Sequence, residues 1–126
     1  YLNKHLKRIL TYLLLRGNYK MDKYIESDLG KIKQDQDTFY SYVKISNDLG
    51  IHARPSALIV NVAKRYDAQI TLYHIQNDLY ANAKDVLSLM VLEGSLNDVL
   101  RVDSKGEDAE HALDDMVELI QKGFNE

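Results

Sequence analysis

From Thr38 to Lys122 the apolar residues recur first every second position, then every three to four, and the spacing keeps switching between the two. That switching restricts the chain to a mixed fold of short strands and helices. "TFYSYVKIS" sets Phe39, Ser41, Val43 and Ile45 against Tyr40, Tyr42 and Lys44, the spacing of a half-buried strand. A helix is predicted after His52, with Leu58, Ile59, Val62, Ala63 and Tyr66 on one face. "AQITLYH" and "DLYANA" flank "IQND" and read as a hairpin. "KDVLSLMVLEG" reads as a short helix and "DVLRVD" as a further strand. Residues 107–122 are the clearest helix, with Ala109, Ala112, Leu113, Met116, Val117 and Ile120 at i, i+3, i+4, i+7 spacing. Glu107, Asp108 and Glu110 crowd its first turn, Lys122 lies in its last and Gly123 follows, all favourable for the helix dipole and the C-terminal cap.

The order strand, helix, strand, strand, helix, strand, helix predicts an α+β open-faced β-sandwich. Its four-stranded antiparallel sheet carries three helices on one face, a βαββαβα arrangement. This domain is expected over residues 37–126, and the 126 residues leave room for little beyond it. Residues 1–36 are expected to be a helical extension. Leu2, Leu6, Ile9, Leu10, Leu13 and Leu14 follow a helical spacing, and the bases lie mostly on the other side. Arg16 closes the apolar run and no small-residue cleavage site follows, so a secretory signal is not expected; residues 21–36 read as a weak helix or linker. Met21 is a candidate alternative start.

Charge is divided unevenly. Residues 1–20 carry a net +5, residues 21–36 a net −1 and residues 37–126 a net −7. An acidic folded domain argues against nucleic-acid binding. The composition, 45% hydrophobic and 28% charged, is that of a soluble globular protein with no membrane insertion. The absence of cysteine fits a reducing compartment, and a cytoplasmic location is expected.

The chain's one proline sits in "NDLGIHARPSALIVNVAKRY", residues 47–66, where a histidine and an arginine meet the start of the first domain helix. A helix N-terminus leaves backbone N–H groups without partners and favours anions. His52 there offers a nucleophilic imidazole nitrogen, and Arg54 a guanidinium for an attached phosphoryl group. Pro55 lacks only an N–H that the first turn leaves unused, and Gly50 allows a close approach of the chain. Taken alone, a histidine at a helix start reads more readily as a capping or surface residue.

"GIHARPS", continuing through "ALIVNVAKRYDAQITL", resembles the active-site segment of HPr, the histidine phosphocarrier family of the bacterial phosphotransferase system. The resemblance runs from about residue 39 to 122 and includes "AKDVLSLMVLEG" and "KGEDAEHALDDMVELI". It implies that His52 is phosphorylated through Nδ1, that Arg54 steers the phosphoryl group, and that the backbone at Ala53 and Arg54 donates to it. It implies a partner surface including Pro55, Lys64, Val86, Leu87 and Met90. Phosphate would arrive from enzyme I, charged by phosphoenolpyruvate, and leave to an enzyme IIA for sugar uptake. Such a carrier is a relay rather than a turnover enzyme, works as a monomer and needs no metal or cofactor. A regulatory module that reports phosphorylation state to a protein partner, in nitrogen-type or metabolic control, is the alternative.

Two features depart from the family. Many members open the second helix with a regulatory serine; here Asp85 stands in that position and reads as a helix cap, with Ser88 nearly one turn further on. The other is the extension over residues 1–36. His5, His74 and His111 are too dispersed to suggest a metal site, and the nine tyrosines read as amphipathic strand and helix residues.

Overall fold

The computed structural model describes residues 26–126; the expected basic helix and the alternative start at Met21 lie outside the described residues. The strands are β1 (Lys33–Asp35), β2 (Thr38–Lys44), β3 (Gln69–His74), β4 (Leu79–Asn82) and β5 (Val99–Lys105), and the helices α1 (Ala53–Ala63), α2 (Val86–Val91) and α3 (Ala109–Gln121). A 3₁₀ turn over Gly123–Asn125 follows. The fold is the expected α+β open-faced sandwich, with one more strand than expected. The antiparallel sheet has five strands in the order β1-β2-β5-β3-β4, and β1 comes from the stretch that read as weak helix or linker. β1 is three residues, Lys-Gln-Asp, with Lys33 opposite Tyr40 and a tight turn at Gln36 (φ 55°). A short, polar edge strand has no apolar alternation to betray it, and its charges discourage pairing with another chain.

One sheet face builds the core. Val43, Leu72, Leu100 and Val102 are fully buried and meet Ile59, Leu89, Leu113, Met116 and Ile120 from the helices. Burial of each such side chain stabilises by about 1.5–3 kcal/mol. α3 crosses β2, β5 and β3, and α1 packs on α2 and α3. Asp108, at the α3 N-cap position, makes no side-chain bond to its own helix. Its carboxylate accepts instead from the backbone N–H groups of Asp67 (2.9 Å) and Ala68 (2.8 Å), which tie the loop before β3 to α3. Those bonds, with Asp67 the largest contributor, hold the Asp108 carboxyl below its ordinary range.

Two loops interlock beneath the start of α1. The Ile45 N–H donates to the Asp98 carbonyl (2.9 Å), the Asn97 N–H to the Ile45 carbonyl (2.8 Å) and the Ile51 N–H to the Gly94 carbonyl (2.9 Å). The second loop is held by His74, which is buried. Its Nδ1 accepts from the Asn77 N–H (3.0 Å), so Nε2 carries the hydrogen that bonds Asp98 Oδ2 at 2.7 Å. Asp98 Oδ2 also accepts from the Ser95 N–H (2.9 Å). His74 is thus a core polar residue, and no group of three or more His, Cys, Asp or Glu among the described residues could hold a metal ion.

Candidate functional site

His52 is the N-cap residue of α1, in extended conformation (φ −96°, ψ −163°), and its side chain does not cap the helix. The ring is therefore free to face outward, half-exposed. Its carbonyl accepts the first helical bond from Ser56 (3.0 Å), leaving the amides of Ala53 and Arg54 with no helical acceptor. Pro55 needs none, and no acidic side chain fills the first turn. Gly50 makes this placement possible: its φ is +66°, and an added Cβ would lie 2.1 Å from the Gly94 carbonyl oxygen.

The segment after α3 folds back over this helix end. Gly123, Phe124 and Asn125 all have positive φ, and the fully buried Phe124 anchors the return. Glu126 then reaches His52: its Oε2 is 3.0 Å from His52 Nε2 and 3.3 Å from Arg54 Nη1. Arg54 Nη1 also donates to the Phe124 carbonyl (3.1 Å), and Asn47 Nδ2 to Glu126 Oε1 (2.9 Å) and the Gly50 carbonyl (2.7 Å). An ionised carboxylate only accepts, so the hydrogen between His52 and Glu126 belongs to Nε2 and the lone pair of the neutral ring is on Nδ1. The Asn47 amide, then His52 and Arg54, hold the Glu126 carboxyl below its ordinary value against the opposing effect of burial.

His52, Ala53 and Arg54 therefore converge at one helix end. Of the other residues implied by the resemblance, Lys64, Leu87 and Met90 are exposed, Val86 is half-buried, and Pro55 is buried and offers no open surface. The exposed apolar surface also includes Leu49, Val91 and Leu96. Asp85 is the N-cap of α2, its Oδ1 accepting from Leu87 (3.0 Å) and Ser88 (3.4 Å). Sequence reasoning did not identify Asn47, Phe124 or Glu126. Asn47 is five residues from His52, but nothing local marks its amide, and Glu126 is joined to His52 only by the closing of the fold.

A family model described as the PTS HPr component phosphorylation site matches residues 41–122. The chain belongs to the HPr family. Phosphocarrier protein NPr of Shewanella violacea is 37% identical over 84 residues, which cover 67% of this chain and 90% of the relative. A crystal structure of HPr-C-His from Thermoanaerobacter tengcongensis superposes with a TM-score of 0.64 at 33% identity, covering 69% of this chain and 96% of that one. The similarity to the multiphosphoryl transfer protein of Salmonella typhimurium, 29% over 130 residues, covers 96% of this chain but only 34% of that larger protein. HPr-type proteins carry phosphoryl groups in the phosphotransferase system, and a phosphocarrier role in that system is the role of this domain. No helix among the described residues is long and apolar enough to cross a membrane.

Proposed function

We propose that this HPr-family chain accepts a phosphoryl group on His52 Nδ1 from enzyme I and passes it to an enzyme IIA. The observation that carries this reading is the contact between His52 Nε2 and Glu126, which puts the ring's lone pair on Nδ1 at an uncapped helix N-terminus. The Nδ1 lone pair attacks phosphorus, the N–P bond forms, and the phosphorus bond to the donor breaks, with its electron pair returning to the donor. The ring gains positive charge in this step, and the Glu126 carboxylate beside Nε2 offsets it. The phosphoryl oxygens draw on the unpaired amides at Ala53 and Arg54 and on the Arg54 guanidinium. Delivery to the acceptor reverses the sequence. Lys64, Leu87 and Met90, with Leu49 exposed beside the site, supply a basic and apolar surface for the partner protein.

Intact-mass measurement after incubation with phosphoenolpyruvate and enzyme I tests the site. Wild type gains one acid-labile, base-stable phosphate and His52→Ala, folded, gains none; a phosphate on His52→Ala refutes the assignment. Arg54→Ala keeps the fold and transfers about tenfold more slowly, the scale of one lost charge-assisted bond. The similarity to an NPr protein favours the nitrogen-type branch as the second reading. Offering the phosphorylated chain a sugar-type and a nitrogen-type enzyme IIA in parallel separates the two.

A further inference from the structure

His74, the last residue of β3, is only 1% exposed, and an apolar side chain would fill the same space. What the neutral imidazole adds is an acceptor at Nδ1 for the Asn77 N–H (3.0 Å) and a donor at Nε2 for Asp98 Oδ2 (2.7 Å). These two bonds join three segments. Asn77, in the turn between β3 and β4, donates from Nδ2 to the carbonyl of Leu92 (3.2 Å), the C-cap of α2. Asp98 closes the loop over residues 93–98: its Oδ2 also accepts from the Ser95 N–H (2.9 Å), and its own N–H donates to the Ser95 carbonyl (3.0 Å). Glu93 and Asn97 in this loop have positive φ (54° and 71°), conformations that persist where the surroundings hold them.

The same loop supports His52. The Gly94 carbonyl accepts from the Ile51 N–H (2.9 Å), and Asn97 and Asp98 exchange backbone bonds with Ile45 (2.8 and 2.9 Å). Gly50 packs against Gly94 so closely that a Cβ there would lie 2.1 Å from the carbonyl oxygen, so a shift of the loop carries Gly50 and Ile51 with it. On the other side, α2 presents Leu87, Met90 and Val91 to solvent. A partner docked on those side chains must bring its phosphoryl group to His52 Nδ1, and the loop sets the offset between helix and ring. We infer that His74 is the positioning residue that fixes this offset, tying the end of α2 through Asn77 and the backbone before His52 through Asp98. The inference rests on His52 as the phosphorylated residue. His74 touches neither the phosphoryl group nor the partner. A misplacement of about 1 Å between reacting groups costs up to about 100-fold in rate, so a small movement of the loop is enough to register.

The test compares the full wild-type chain with His74→Phe, which keeps a ring and removes both bonds, and with His74→Gln, which retains a donor for Asp98. Leu113→Ala, a truncation of the buried face of α3, is the control for lost stability alone. Phosphorylation by enzyme I is followed at a temperature where every chain is folded. His74→Phe should show kcat about tenfold lower with KM unchanged, His74→Gln an intermediate kcat, and Leu113→Ala the wild-type value. Amide exchange gives a second readout that needs no phosphotransfer: in both His74 variants it should rise more at Ile51 and Ile45 than at Val102 in the centre of the sheet. Should the phenylalanine variant not fold, the glutamine variant carries the same comparison. A wild-type kcat in the folded His74 variants, or exchange that rises equally at Ile51, Ile45 and Val102, overturns the inference and leaves His74 a source of stability only. If wild type itself takes up no phosphate, the functional reading fails, and the exchange measurement still decides whether His74 holds Ile51.

Discussion

Gly50→Ala is the substitution that most directly tests how the fold positions His52. At φ +66° an alanine carries a left-handed backbone cost of about 1–2 kcal/mol. The new Cβ would lie 2.1 Å from the Gly94 carbonyl oxygen and 2.9 Å from Ser95 Cα, both backbone atoms of the interlocked loop. They cannot rotate away, so the two loops must separate, at about 1–3 kcal/mol for overpacking. Separation also strains the bond from the Ile51 N–H to that same Gly94 oxygen. Alanine's narrower unfolded ensemble offsets about 0.4–1 kcal/mol. The net loss is about 2–4 kcal/mol, or roughly 10–25 °C in Tm for a domain of this size. Urea unfolding and thermal melts measure it, and phosphate uptake should fall because His52 moves with Ile51. Gly30→Ala is the control: its φ is +77°, but its Cβ meets the end of the Gln121 side chain, which can swing aside, so the backbone cost of about 1–2 kcal/mol remains, less the same unfolded-state offset of about 0.4–1 kcal/mol. A Gly50→Ala variant no less stable than Gly30→Ala would refute the reasoning.

Glu126 should titrate below its ordinary value of 4.5, so its contact with His52 and Arg54 is fully present above that pH and is lost as pH falls through the lower folded value. A carboxyl NMR titration checks this, and Asn47→Ala should move the midpoint up; an unchanged midpoint would contradict the assigned cause. Asp85→Ala should lose about 1 kcal/mol through the missing cap, whereas Asp85→Ser should be nearly neutral in the same melts. With ATP and a kinase that acts on the helix-start serine of other HPr proteins, Asp85→Ser should take up phosphate and wild type should not. Ser88 of wild type is half-buried with its Oγ accepting from the Asn82 N–H, so phosphate found there would overturn the expectation.

The elements were legible where a local period existed, and the side chains that meet across the fold were not. The alternation of "QITLYH" places His74 on the same face as Ile70 and Leu72, so its burial could have been read from the strand; its partner Asp98, in a loop 24 residues away, could not. Pro55 was assigned to an exposed surface by resemblance, yet a first-turn residue two before the wholly polar-free run Ala57 to Val60 faces inward once α1 seats against α3. β1 gave no signal because three polar residues cannot show a period of two. The tyrosines of β2, β3 and β4 were each readable as strand residues, but they line up across the sheet only after β5 inserts between β2 and β3 and sets Arg101 between Tyr42 and Tyr73. The same insertion sets the two loops beneath His52, since β5 begins one residue after Asp98, whose carbonyl holds Ile45 and whose carboxylate holds His74 and Ser95. His52 and Arg54 were visible because their chemistry is local to a helix start. Glu126 was not, because it reaches His52 only through three consecutive positive-φ residues that turn the chain back after α3, and between Gly123 and Asn125, both of types that adopt such a conformation, stands Phe124, a bulky residue that does not announce it.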